Sequence, residues 1–121
     1  MGKTILVVDD SASVRQQVKL ALSQAGFEVL EAGDGQAGFE QITGNAGIAA
    51  VVCDVNMPRM NGIEMVEKVA GSPRKGVPIV MLTTEGQPAM IQRAKAAGAK
   101  GWIVKPFKPD LLVAALNKLV A

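Results

Sequence analysis

The sequence predicts one α/β domain, a parallel β-sheet wound with helices on both faces. Three observations predict it. Short apolar runs alternate with helix-period segments five times along the 121 residues. The runs are apolar nearly throughout, as strands buried on both sides must be. Strand followed by helix, repeated, joins parallel neighbours through right-handed crossovers. Composition agrees: 49% of the residues are hydrophobic and 20% charged, which suits a single core over residues 1–121 and argues against disorder.

Each element follows from its own stretch. TILVV (4–8) is rich in β-branched residues and closed by acids, so it reads as a buried strand. SASVRQQVKLALSQAG (11–26) is a helix. Val14, Val18 and Leu22 mark its apolar face, and Ala21 and Ala25 extend it. Ser13 with Gln16 fits a capping box, and Gly26 fits a C-terminal stop. FEVLEA (27–32) is a second strand, and GQAGFEQIT (35–43) a weaker helix. IAAVVCD (48–54) is a third strand, apolar until its last residue. NGIEMVEKVAG (61–71) is a third helix, and the loop GSPRKGVP (71–78) leads to a fourth strand, PIVMLT (78–83). QPAMIQRAKAAGA (87–99) is a helix that tolerates Pro88 in its first turn. GWIVK (101–105) is a fifth strand, and PDLLVAALNKLVA (109–121) a last helix opening on Pro109.

Several function classes drop out early. A net charge of +2 predicts no nucleic-acid partner, which would need a clustered basic face. No apolar run approaches the ~20 residues that span a bilayer. The start, MGKTILVVDD, has a short apolar stretch ending in two acids, unlike a secretory signal. The single cysteine, Cys53, cannot form an internal disulfide, and a reducing, cytoplasmic setting is expected.

In an open parallel sheet, ligands bind beyond the carboxyl ends of the strands. Strand 1 ends in Asp9 and Asp10, strand 3 in Asp54, strand 4 in Thr83 and Thr84, and strand 5 in Lys105. Each has an ordinary reading alone. Asp9 or Asp10 could cap the first helix. Asp54 could begin a turn, Thr83 could be a plain strand residue, and Lys105 a solvated lysine. Their meeting at one edge is what demands chemistry. Like charges about 4 Å apart repel by about 4 kcal/mol at an effective dielectric of 20, so three carboxylates call for a cation or for protons. The chain has no histidine, and hard oxygen donors suit Mg²⁺ rather than zinc. A metal, an ammonium and a hydroxyl together suit a phosphoryl group, and a central carboxylate can be the nucleophile that accepts it.

The segments LVVDDS, CDVNMPRMNG, MLTTE and GWIVKPF, in that order and spacing, resemble the receiver domain of bacterial response regulators over essentially the whole chain. The likeness is greatest to the stand-alone chemotaxis type. The resemblance implies a flavodoxin-like fold of strand order 2-1-3-4-5. It implies that Asp54 is the phosphoacceptor and that Asp9, Asp10, Asp54 and the backbone carbonyl of Asn56 hold Mg²⁺. Lys105 and Thr83 would bind the phosphoryl group, and Thr83 and Trp102 would form the switch. The Lys105–Pro106 bond would be cis, aiming the Lys105 ammonium. Asn56 and Glu85 would tune dephosphorylation toward rapid decay, with Thr84 and Val55 as rim positions that modulate access. A histidine kinase would be the phosphodonor. No output domain is expected after the last helix, so a separate target protein would bind the surface of helix 4, strand 5 and helix 5. The protein would be a monomer that catalyses only its own phosphorylation and dephosphorylation. Two alternatives stand beside chemotaxis signalling: a receiver in another phosphorelay, and a phosphatase with an aspartate nucleophile. Phosphatases of that kind usually carry D-x-D at the first strand, whereas Asp9 and Asp10 are adjacent.

One motif points elsewhere. GDGQAG (33–38) fits the dinucleotide fingerprint G-x-G-x-x-G, and Asp54 follows at about the ribose-binding distance. The motif follows strand 2 rather than strand 1, and Asp34 between the glycines repels a pyrophosphate. A turn with a loose helix start is the expected reading. Cys53 and the six methionines are expected in the core, and Lys95, Lys100 and Lys108 on a solvated face.

Overall fold

A computed structural model describes residues 2–57, 60–83 and 88–120. Five strands, β1 (Thr4–Val8), β2 (Glu28–Ala32), β3 (Ile48–Asp54), β4 (Ile79–Thr83) and β5 (Gly101–Val104), form one parallel sheet in the order β2-β1-β3-β4-β5. Five helices alternate with them: α1 (Ala12–Gln24), α2 (Gly35–Gly44), α3 (Gly62–Ala70), α4 (Pro88–Ala96) and α5 (Pro109–Val120).

The period of two in each strand sorts the core into two layers. Ile5, Val7, Ala50, Val52, Val80 and Leu82 point to one face, where Val18 and Leu22 of α1 and Leu112 and Leu116 of α5 cover them. Leu6, Val8, Val51, Cys53, Ile79 and Met81 point to the other, under Ile42 of α2, Met65 and Val66 of α3, and Ala94 of α4. Strands buried on both faces cannot show polar alternation, which explains their apolar runs.

The helix ends refine the sequence reading. Ser11, not Ser13, caps α1, accepting from the Val14 amide at 3.3 Å. The chain turns directly after β1 because the Asp9 carboxylate binds the Ser11 amide, so the earlier serine takes the cap. Neither Asp9 nor Asp10 is the cap. Ala25, expected on the apolar face, is exposed, because α1 has ended at its C-cap. Gly26 and Gly98 take positive φ (96° and 111°) and close Schellman motifs. Phe27 and Gly26 donate to Leu22 and Ser23, and Ala99 and Gly98 donate to Ala94 and Lys95. The second motif stops α4 before the predicted Ala99. Its predicted first residue, Gln87, lies outside the described residues. The capping box appears instead on α3, where Asn61 and Glu64 bond each other's backbone amides.

The glycine motif is structural. Asp34 caps α2, its carboxylate accepting from the Ala37 amide at 2.8 Å, so a carboxylate already holds the helix end that a pyrophosphate would need. A Cβ at Gly35 would lie 2.3 Å from the Met60 carbonyl oxygen, and one at Gly38 would lie 2.8 Å from Val8. Gly38 lets α2 lie close on β1, and Gly35 lets the start of α2 approach the Met60 backbone ahead of α3. Strand β2 is at the sheet edge, away from the reversal of strand order.

Candidate functional site

Parallel strands put all their carboxyl ends on one edge. In this order β1, β3, β4 and β5 are consecutive neighbours, so Asp9, Asp54, Thr83 and Lys105 fall side by side. Asp9 is 1% exposed, Asp54 6% and Thr83 2%, while Asp10 is exposed.

Burying Asp9 requires that its polar groups be met, and they are. Its amide donates to the Ala32 carbonyl at 3.1 Å. Its carboxylate accepts from the Ser11 amide at 2.9 Å and from the Lys105 ammonium at 3.1 Å. Asp54 accepts from the Val55 amide at 2.9 Å and from Lys105 at 3.3 Å. Carboxylate oxygens of Asp9, Asp10 and Asp54 all lie within 4.8 Å of one another.

The charges do not balance. Burial pushes the Asp54 carboxyl above the usual carboxylate range, and the Asp9 charge pushes it further, against the lowering effects of Lys105 and the Val55 amide. Burial pulls the Lys105 ammonium down, but its hydrogen bond to Asp9 and the charges of Asp54 and Asp9 outweigh that and hold it above the usual lysine range. Lys105 is therefore a cation at neutral pH, and it meets only part of the negative charge. The donor set is oxygen alone. The neighbouring Cys53 thiol is turned into the core, against the Asp54 carbonyl and Met65. Hard oxygen donors with excess negative charge fit Mg²⁺.

The remaining predicted residues fall as follows. The Lys105–Pro106 peptide is cis. The Lys105 amide donates to the Thr83 carbonyl at 2.6 Å, which ties the ends of β4 and β5. Trp102 pairs with Met81 in the ladder and packs on the α4 face of the sheet. By strand alternation Thr83 shares that face, whereas Asp54 and Lys105 lean to the other. Trp102 is half-buried, and its indole N–H is enclosed without a hydrogen-bond partner among the described residues. Asn56 is exposed two residues beyond Asp54. Val55, expected at the rim of the site, is instead buried in the core, because it continues the alternation of β3 past Asp54. Glu85 and Thr84 lie outside the described residues.

Two residues at this edge were not predicted. Gly62 donates to the Val55 carbonyl at 2.8 Å, and a Cβ there would stand 2.0 Å from the Asp54 carbonyl oxygen. An Asn-Gly pair is a turn signal in general, but it does not tell what the glycine approaches. Arg15 donates to the Asp9 carbonyl at 2.5 Å. Its only signal was its place in the first turns after the acids.

Comparison with known proteins gives one consistent result. Residues 5–117 match the profile of the "response regulator receiver domain" family. The chain is 46% identical over 110 residues to chemotaxis protein CheY1 of Helicobacter pylori, covering 89% of each protein. It is 40% identical over 118 residues to the CheY homolog of Campylobacter jejuni, covering 96% of this chain and 91% of that protein. The crystallised chemotaxis protein CheY4 of Vibrio cholerae superposes with a TM-score of 0.90 at 42% identity, over 98% of this chain and 99% of that one. With its acidic edge, its strand order and a family match over nearly its whole length, the chain belongs to the response regulator receiver domain family.

Proposed function

We propose that the protein is a phosphorylation-controlled signalling receiver of a two-component system, acting in chemotaxis, with Asp54 as phosphoacceptor. The observation that carries this is the Lys105 ammonium set between Asp9 and Asp54, at 3.1 and 3.3 Å, at the mouth of a carboxylate cluster. In the transfer, an Asp54 carboxylate oxygen forms a bond to phosphorus while the phosphorus–nitrogen bond of a phosphohistidine donor breaks and its imidazole leaves. Asp9, Asp10, Asp54 and the Asn56 carbonyl would hold Mg²⁺, which when bound neutralises charge on the phosphoryl oxygens. Lys105 trades its Asp54 contact for the phosphoryl group, and the Thr83 hydroxyl supplies a further hydrogen bond. Asn56 and Glu85 tune the return reaction with water.

The signal follows from differential contacts. Hydrogen bonds to charged groups are worth roughly 1.5–3 kcal/mol each, and two of them approach the ~5.5 kcal/mol that inverts a 1:99 equilibrium. Thr83 and Trp102 share the α4 face of the sheet, so a shift of Thr83 changes the surroundings of an indole that is already half-buried. The target protein docks on the surface of α4, β5 and α5, where Val104 and Leu111 are exposed, as are Lys95, Lys100 and Lys108. The chemotaxis assignment comes from the relatives named above. We take the protein to act as a monomer in the cytoplasm. Among the described residues no helix is long and apolar enough to cross a membrane. Members of the family are signalling proteins, not turnover enzymes.

Intact-protein mass after incubation with a small phosphodonor tests this reading. A gain of one phosphoryl group that needs Mg²⁺, fades without donor and is absent in Asp54→Ala is the expected result. A gain that persists in Asp54→Ala would overturn the assignment.

A further inference from the structure

Arg15 belongs to no part of the chemistry above, yet its side chain is only 20% exposed. Its guanidinium makes two bonds. One donates to the main-chain carbonyl of Asp9 at 2.5 Å, and the other joins Glu31 of β2 at 3.1 Å. Lys19 stands 3.8 Å from the second Glu31 oxygen. The Asp9 carbonyl lies in the planar peptide that leads to Asp10. Fixing that oxygen therefore fixes the direction in which the chain leaves for Asp10. Asp10 needs such a guide. Its exposed carboxylate has no hydrogen-bond or ion-pair partner among the described residues, whereas both Asp9 carboxylate oxygens are engaged.

We propose that Arg15 is a positioning residue, which through the Asp9 carbonyl aims the Asp10 carboxylate into the cation site, with Glu31 holding the guanidinium in place. This rests on reading the acidic cluster as a Mg²⁺ site. Two effects of Arg15 oppose each other. Its positive charge repels a divalent cation, and Glu31 offsets that repulsion. Its fork orients a ligand. Removing an outer-shell partner of a metal ligand typically costs about 10–100-fold in affinity, more than a paired, screened charge contributes at this range. Orientation wins.

The test compares Mg²⁺ binding by calorimetry for the parent, Arg15→Ala and Arg15→Lys, beside melting curves without Mg²⁺. Positioning predicts about 10-fold weaker binding in both variants, because lysine keeps the charge but cannot bond Asp9 and Glu31 as a fork. The Mg²⁺ concentration for half-maximal phosphorylation should rise by the same factor, with the rate at saturating Mg²⁺ kept within about twofold. A charge effect alone predicts tighter binding in Arg15→Ala and no change in Arg15→Lys, and that result overturns the proposal. So does unchanged affinity in both. Lower melting temperature with unchanged affinity would mark Arg15 as merely structural. If the parent itself binds no Mg²⁺, it is the reading of the cluster that fails.

Discussion

Gly62→Ala offers the sharpest test of how the site is held. The added methyl would stand 2.0 Å from the Asp54 carbonyl oxygen, 2.9 Å from its carbon and 3.0 Å from the Met81 methyl. A carbon–oxygen contact normally needs roughly 3.3 Å, so the groups must part by roughly 1 Å or more. Met81 can yield, but the Asp54 backbone belongs to β3, paired with β4. Overpacking of this kind costs about 1–3 kcal/mol. Stretching the 2.8 Å Gly62–Val55 hydrogen bond adds about 0.5–1.5 kcal/mol. Alanine's helix preference returns at most ~1 kcal/mol. The net is a loss of about 0.5–3.5 kcal/mol, centred on ~2 kcal/mol, read from urea unfolding. Gly44→Ala is the control: it ends α2, nothing lies within 4 Å of where its methyl would stand, and its φ is not positive. It should be neutral or slightly stabilising. A displacement near 1 Å at the nucleophile should also slow Asp54 phosphorylation on the order of 10–100-fold in molecules that remain folded. If Gly62→Ala unfolds within about 0.5 kcal/mol of the parent, the close approach is not what positions Asp54.

Two further outcomes follow from the electrostatics and the core. Lys105→Met removes the only ammonium that touches Asp9 and Asp54 among the described residues, and should cost about 1–4 kcal/mol at neutral pH without Mg²⁺, between the values of a surface and a fully buried pair. The sign with pH is fixed: Lys105 lowers the Asp54 carboxyl, so the variant's Asp54 sits higher still. A carboxyl raised in the folded state favours folding when protonated and loses that advantage as pH rises through its value. The stability gap between variant and parent must therefore shrink as pH falls toward about 4; a gap that widens on acidification refutes the coupling. Cys53 is fully buried, and burial, then the Asp54 and Asp9 charges, push its thiol up. At mildly alkaline pH it should react with a thiol reagent roughly 10³-fold more slowly than in urea, at a rate set by unfolding. Prompt labelling of the native protein would contradict that burial.

What could be read from the sequence depended on range. Strands β1 and β3 were legible because their apolar runs end abruptly in Asp9 and Asp54, and that same break marks the site. The α1 cap was misplaced because SAS offers two serines, and the choice of Ser11 depends on where the Asp9 carboxylate reaches. Val55 looked like a rim residue because it follows Asp54, but strand alternation carries it into the core. Gly62 and Arg15 act through approaches between separate elements, a helix start against β3 and a helix against the β1 carbonyl. No local pattern encodes such an approach. The GDGQAG motif shows the converse: a pattern matched by letters, while its glycines are explained by Met60 and Val8.

The protein has one tryptophan and no tyrosine. Its near-ultraviolet emission therefore comes from a single place, the β5 indole whose N–H is enclosed and unpaired. Emission from an indole shifts to longer wavelength when that N–H gains a polar partner. Any event that reaches β5 and reorders what surrounds Trp102 becomes a change of colour in the unlabelled protein, with no second fluorophore to dilute it. The side chain that leaves a donor unmet is also the molecule's own optical gauge.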